Sequence, residues 1–208
     1  MLRSAVAVVV VVLFVLPARA DEIGDMIKAG PLVRIETDPK TGKLKQSVCI
    51  TDVAAPIDAV WKVLVDYPTY KFFMPRIDKI DVVYEGKDAL VSIKLDTPLV
   101  STSYTNRMTA DLAAHTINVK NEQGDLSGSR YFWRLVPLGD LRTRIFYSGL
   151  IKNYSSMAES FEDEQQTLSI GINVVSLLAT AKAVKDRSEL LHQQALAKAA
   201  PTTTTPAP

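Results

Sequence analysis

Few residues in this chain of 208 could carry reaction chemistry unaided. His115 and His192 are the only histidines, and neither has a cysteine or carboxylate beside it at the spacing a metal ion requires. The Gly-x-Ser-x-Gly turn of a serine nucleophile, the phosphate loop and the Gly-x-Gly-x-x-Gly of dinucleotide binding are missing. No catalytic residue, metal or cofactor is therefore assigned. What remains is a scattered set of polar side chains: Tyr104, Asn106, Arg107, Tyr131 and Tyr147. Such a tyrosine or asparagine can polarise a carbonyl or orient a ligand oxygen, provided that the fold gathers the set around one cavity.

The elements that would gather them are mostly strands. Leu32 to Thr37 and Leu44 to Thr51 read as a hairpin around the Asp38-Pro39-Lys40-Thr41-Gly42 turn. After Pro75, the segments 77–85, 89–95, 101–112, 116–123, 129–137 and 141–150 are short, rich in Val, Ile, Tyr and Thr, and separated by turn residues, which predicts an antiparallel meander. Alternation places Ile80, Val82, Tyr84, Val91, Ile93, Leu95, Tyr104, Asn106, Met108, Ile117 and Val119 on one concave face, and Arg107 on the other. Centring the last turn on Gly139 pairs Trp133 with Ile145 and Tyr131 with Tyr147 on the inside. The same register sets Phe132 opposite Phe146, and Arg134 opposite Arg144, on the outside. The outer pair is either an ordinary aromatic contact or a docking patch.

Helices bracket the strands. Pro56 suits a first helical turn, and Ile57, Val60, Trp61 and Leu64 recur at helical spacing until Asp66-Tyr67-Pro68 stops the run. A short aromatic turn follows, with Tyr70, Phe72, Phe73 and Met74 before Pro75. Ser156-Met157-Ala158-Glu159 fits a capping box opening one long helix, with Glu159, Glu162, Asp163 and Glu164 complementing its dipole. From Leu168 to Val184 that helix is apolar over most of its circumference, with a thin polar stripe of Gln165, Ser169, Asn173, Ser176 and Thr180. Laid across a curved sheet it should bury nearly everything. Gly171 within it allows a kink or a close approach of strand or ligand.

The stretch Val53 to Pro75 resembles the opening of the SRPBCC superfamily of START-like helix-grip domains, which includes polyketide cyclase/dehydrase-like and coenzyme Q-binding START-like proteins. The resemblance rests on Ala55, Pro56, Trp61, Asp66, Tyr67, Phe73 and Pro75, and continues through the meander to the long helix, over roughly 48–191. It implies an α+β helix-grip fold, a curved antiparallel sheet wrapped around a long C-terminal helix with two short helices after the first strand. It also implies a hydrophobic cavity, although one scaffold hosts carriers, cyclases and plain binders. The residues expected to line that cavity are Trp61, Phe72, Phe73, Tyr104, Asn106, Met108, Trp133, Tyr147, Leu177 and Leu178. Three functions stay open: a carrier of a lipid, quinone or isoprenoid; a cyclase/dehydrase-type enzyme using Tyr104, Asn106 or Tyr147; and a ligand-free envelope adaptor docking through Phe132 and Phe146.

The termini are separate. Arg3, the apolar run Ala5 to Leu16 and the small residues of Ala18-Arg19-Ala20 read as a signal peptide cleaved before Asp21, since the run is shorter than the ~20 residues a membrane span needs. The expected organisation is 1–20 signal peptide, 21–43 lead-in and hairpin arm, 44–199 START-like domain and 200–208 disordered Thr/Pro tail. The export route points to the periplasm. With 24 basic and 23 acidic residues the chain has no bulk attraction for nucleic acid, and its expected partners are an apolar small molecule and, transiently, a membrane. Cys49 is the sole cysteine, so no internal disulfide can form and the core must hold the fold.

Overall fold

The computed structural model describes residues 20–96, 102–150 and 166–199. The expected cleavage site, capping box and Thr/Pro tail lie outside them or at their edge. A short helix α1 (Ala20–Lys28) precedes β1 (Leu32–Thr37) and β2 (Leu44–Val53), and α2 (Ile57–Val65) leads into a 3-10 turn (Tyr67–Phe72). Six strands follow: β3 (Ile77–Glu85), β4 (Asp88–Leu95), β5 (Thr102–Asp111), β6 (Thr116–Gly124), β7 (Arg130–Pro137) and β8 (Thr143–Leu150). The last element is α3 (Gln166–Ala199). The strand order is β1-β2-β8-β7-β6-β5-β4-β3, antiparallel throughout, in one sheet of eight strands. Since β1 is an edge strand of that same sheet, the N-terminal hairpin is continuous with the rest.

The jump from β2 to the far edge is made by α2 and the 3-10 turn. Pro56 caps α2, whose buried face is Val60, Trp61, Val63 and Leu64, and Asp66 ends it. The Tyr70 hydroxyl donates to the Leu64 carbonyl at 2.6 Å, fixing the turn against the helix it follows. One core joins these residues to Val53, Val91, Ile93, Met108, Ile117, Val119, Trp133 and Ile145 on the concave face. The inward alternation holds there, with one correction: Tyr84 is exposed, because it lies near the end of edge strand β3, beyond the cover that half-buries Ile80 and Val82.

The last hairpin differs from expectation by two residues. Trp133 pairs with Tyr147, Leu135 with Ile145, Phe132 with Ser148 and Arg134 with Phe146. The Leu138 N–H donates to the Arg142 carbonyl at 2.8 Å, which makes a five-residue turn centred on Asp140 rather than Gly139. A slip of two preserves both faces, because side chains alternate with period two. It separates Phe132 from Phe146 and Arg134 from Arg144, so neither expected outer pair forms. Arg144 instead lies opposite Asp52 of β2 and binds it through two hydrogen bonds of 2.7 and 3.0 Å, largely shielded from water.

The seating of α3 also corrects the sequence reading. Its buried line is Asn173, Leu177, Ala181, Val184 and Ser188, whereas Ile172 and Val175 are 52% and 65% exposed. A residue of the expected polar stripe thus faces inward and two apolar ones face out. Two of the buried polar groups bond within the helix: Asn173 Nδ2 donates to the Ser169 carbonyl and Ser188 Oγ to the Val184 carbonyl, at 3.1 and 2.7 Å. A Cβ on Gly171 would meet nothing within 4 Å among the described residues, so none of them approaches closely enough to require the glycine.

Removing either member of the Asp52–Arg144 pair leaves a poorly hydrated charge without its partner. Asp52→Ala and Arg144→Ala should each lower unfolding stability by about 2–4 kcal/mol. The double variant should cost less than the two single losses together, as urea denaturation will read.

Candidate ligand cavity

Between α3 and the concave face lies a cavity of about 430 Å³. This falls within the ~300–1,000 Å³ typical of small-molecule sites. Strands β4 to β8 supply one wall, the segment Tyr70–Ile77 closes one side, and Val175, Ser176, Leu177, Ala179 and Thr180 of α3 form the roof. Of the ten residues expected from sequence, Tyr104, Asn106, Met108, Trp133, Tyr147 and Leu177 line it. The other four do not. Trp61 is buried in the α2 core, edge-on to His115 at 5.7 Å. Phe72 points to solvent, 72% exposed, with Lys71 Nζ 4.9 Å above its ring. Phe73 packs between Tyr70 and Arg187, at 5.5 and 6.0 Å. Leu178, one residue along α3 from Leu177, turns into a wider cleft beneath α1. That cleft has the larger volume, and most of its charged side chains are paired, as in Lys28–Asp25, Arg144–Asp52, Lys182–Asp186 and Lys185–Glu189, with exposed Arg142 at its edge.

Tyr131, Met74 and Arg76 also line the cavity. Alternation with Trp133 signalled Tyr131 and the aromatic turn before Pro75 included Met74, whereas nothing in the sequence singled out Arg76. The aromatic wall is built by register. Trp133 stacks on its cross-strand partner Tyr147 at 3.8 Å, and Tyr131 lies 6.3 Å from the same ring. Gly149 makes room for this arrangement: a Cβ there would meet the Tyr131 ring at 2.7 Å and Leu177 at 3.2 Å.

The polar lining consists of hydrogen-bond donors. Burial is the main cause that raises the phenols: Tyr131 is pushed up to about 12, and Tyr104 and Tyr147 are also raised well above the usual phenol range, with neighbouring tyrosines adding to the latter two. All three are protonated at neutral pH. Asn106 uses its Oδ1 to accept from Asn121 Nδ2 at 2.9 Å, which leaves its own amide N–H groups for the cavity. The backbone is also adjusted here, by a bulge in β6 that leaves Glu122 as the extra residue between the Thr105–Gln123 and Asn106–Asn121 pairs. Among the described residues no carboxylate, histidine or lysine lines the cavity, and Arg76 is the one charged side chain of that described lining. Arg107, on the convex face, is held by Glu85, Asp88 and Glu122. Among the described residues no cluster of metal-ligating side chains occurs.

A sheet of eight antiparallel strands closed over a long C-terminal helix, with an apolar cavity between them, defines the START-like helix-grip class. The chain belongs to the polyketide cyclase/dehydrase and lipid transport family, whose sequence profile matches residues 53–171. Its fold is shared by the ZhuI aromatase/cyclase of Streptomyces sp. R1128, at 22% identity and a TM-score of 0.58, over 70% of this chain and 93% of that one. A Thermus thermophilus protein (16% identity, TM-score 0.59) and a START superfamily protein from Mycobacterium smegmatis (18%, 0.56) each match 70% of this chain and 98% of their own. No protein of curated function shows significant sequence similarity.

Two outcomes follow from this lining and from the buried Tyr67 of the adjoining core. Gly149→Ala should push Tyr131 into the cavity and destabilise the fold by about 1–3 kcal/mol. Tyr67 and Tyr131 are raised to about 12 from 10, so the stability they confer is complete below pH 10 and is lost as pH rises through about 12. Phenolate absorbance should rise with cooperative unfolding in that window, rather than as independent titrations.

Proposed function

We propose that this protein is an exported binding protein that sequesters or carries a hydrophobic small molecule in the cavity beneath α3. Lipid, quinone and isoprenoid are the leading ligand classes. The observation that carries this reading is the lining: apolar and aromatic walls around a few neutral donors, with no group among the described lining residues placed to abstract a proton. Burial of apolar surface, at ~25 cal/mol per Å², supplies the affinity, and the Asn106 amide and tyrosine hydroxyls orient a ligand oxygen. The modest volume favours a compact ring system or a single chain over a two-chain lipid. Membership of a lipid transport and cyclase family supports the same class of ligand.

The cyclase/dehydrase alternative draws on those donors too, but it requires a base, and none occurs among the described lining residues. The adaptor alternative loses its patch, since Phe132 and Phe146 are not paired and both are half-buried. Export rests on Arg3, the run from Ala5 to Leu16 and Ala18-Arg19-Ala20, and it predicts a mature protein that begins at Asp21 and fractionates with the periplasm. Exposed Ile172 and Val175, the latter on the cavity wall, suit brief contact with a membrane during ligand exchange.

Native mass spectrometry of protein purified gently from its own envelope, with organic extraction, should reveal a stoichiometric apolar adduct. Met108→Asp and Leu177→Asp should abolish its retention, and Ser176→Phe, which fills the cavity from the helix side, should do so without placing a charge in the core. A persistently clean apo mass after incubation with membrane lipids and quinones would sink the carrier reading.

A further inference from the structure

Arg76 is unlike the rest of the lining. Arg144 and Arg107 serve structural ion pairs, but Arg76, on the same cavity wall as Met74 and Ile77, has no ion pair and no side-chain hydrogen bond among the described residues. It is exposed, so it occupies the rim of the cavity rather than its floor. Its backbone is left-handed, with φ of +61°, a conformation costly for any residue with a Cβ and natural to glycine. Asp96, at the end of β4, holds it there by donating its N–H to the Arg76 carbonyl at 2.9 Å. The next residue, Ile77, pairs with Leu95, and Tyr104 stands beside Ile93, one inward position further along. The two strand ends thus set a free guanidinium at the mouth and a protonated phenol just inside it.

We propose that Arg76 is the head-group receptor of this cavity and that the ligand is an acidic amphiphile. Its carboxylate or phosphate would pair with the guanidinium at the rim, and its apolar body would lie against Met108, Trp133, Tyr147 and Leu177. The chemistry favours this class over a neutral ligand. A guanidinium offers planar, two-pronged donation that fits both oxyanions, and a pair made at the edge of an apolar cavity is less screened than one on the open surface. Because Arg76 is hydrated when the cavity is empty, the empty protein carries no buried unpaired charge. The proposal rests on the cavity-binding reading and adds a charge preference to it.

The test compares ligands that share one tail: laurate, lauryl phosphate, methyl laurate and dodecanol, each displacing the neutral dye Nile red at fixed ionic strength. The wild type should bind one or both acids about tenfold or more tightly than the ester and alcohol, with the preference shrinking as salt rises. Arg76→Gln and Arg76→Gly should erase that preference and leave methyl laurate within about twofold of wild type, whereas Arg76→Lys should keep part of it. Arg76→Gly also relieves the left-handed strain, so it should be at least as stable as wild type, which separates lost recognition from lost folding. The stronger acid identifies the head group as carboxylate or phosphate. Equal affinity for acids and ester, or a preference that survives Arg76→Gly, overturns the proposal and leaves the carrier reading standing. Failure of all four ligands to displace the dye from wild type overturns both.

Discussion

The seating of α3 on the concave face is the contact from which the cavity follows. Leu177, Ala181 and Val184 bury themselves against the core, and the helix is fastened one turn further on by a pair that serves as a clamp. Lys185 donates to the Asp52 carbonyl at 2.7 Å, Glu189 accepts from the Ala54 N–H at 2.8 Å, and the two side chains bond each other. The last β1–β2 pair is Leu32 with Ile50, so β2 runs on past its edge partner, and the clamp satisfies main-chain groups on that extension. With α3 anchored there, the sheet beneath Val175 to Thr180 is roofed but not filled, and that unfilled space is the cavity.

The character of the cavity comes from what surrounds its polar atoms. Tyr104, Tyr131 and Tyr147 could be acids or bases in principle, but burial holds all three in the neutral form, with neighbouring tyrosines adding to the effect at Tyr104 and Tyr147. Asn106 is oriented by Asn121, itself fully buried, with an Oδ1 that has no partner among the described residues. Around these groups the described lining offers neutral donors suited to a ligand oxygen. The relatives that share the fold include an aromatase/cyclase, and at such low identity the likeness concerns the scaffold alone, so the site residues must speak for this chain.

Some of the site could be read directly from residue order. Period-two alternation put Tyr104, Asn106, Met108, Trp133 and Tyr147 on the inner face, and a two-residue error in the last hairpin did no harm because parity survives an even shift. The same error was fatal for claims about partners: Arg144 belongs with Asp52, a residue ninety-two positions away that no local pattern connects to it. The aromatic turn was recognised as such, yet of Tyr70, Phe72 and Phe73 only Tyr70 reaches the cavity, since a tight 3-10 turn sends successive side chains in different directions.

Local chemistry was enough to specify the strands, the turns, the Pro56 helix start, the Asp66 stop and, through the Val53 to Pro75 stretch, the fold family. Each depends on a few neighbouring residues and on constraints of φ, ψ and side-chain period that act within one element. Tertiary structure alone decided the rotation of α3, the pairing of Arg144 and the placing of Arg76 at the cavity mouth. A helix apolar on nearly every side has no preferred face of its own, so contact with β2, β8 and α2 selects the line through Asn173 and Leu177 and leaves Ile172 and Val175 outside. Arg76 looks like an ordinary surface arginine in the sequence. It acquires its position only when the ends of β3 and β4 meet and the Asp96 N–H holds its carbonyl in place.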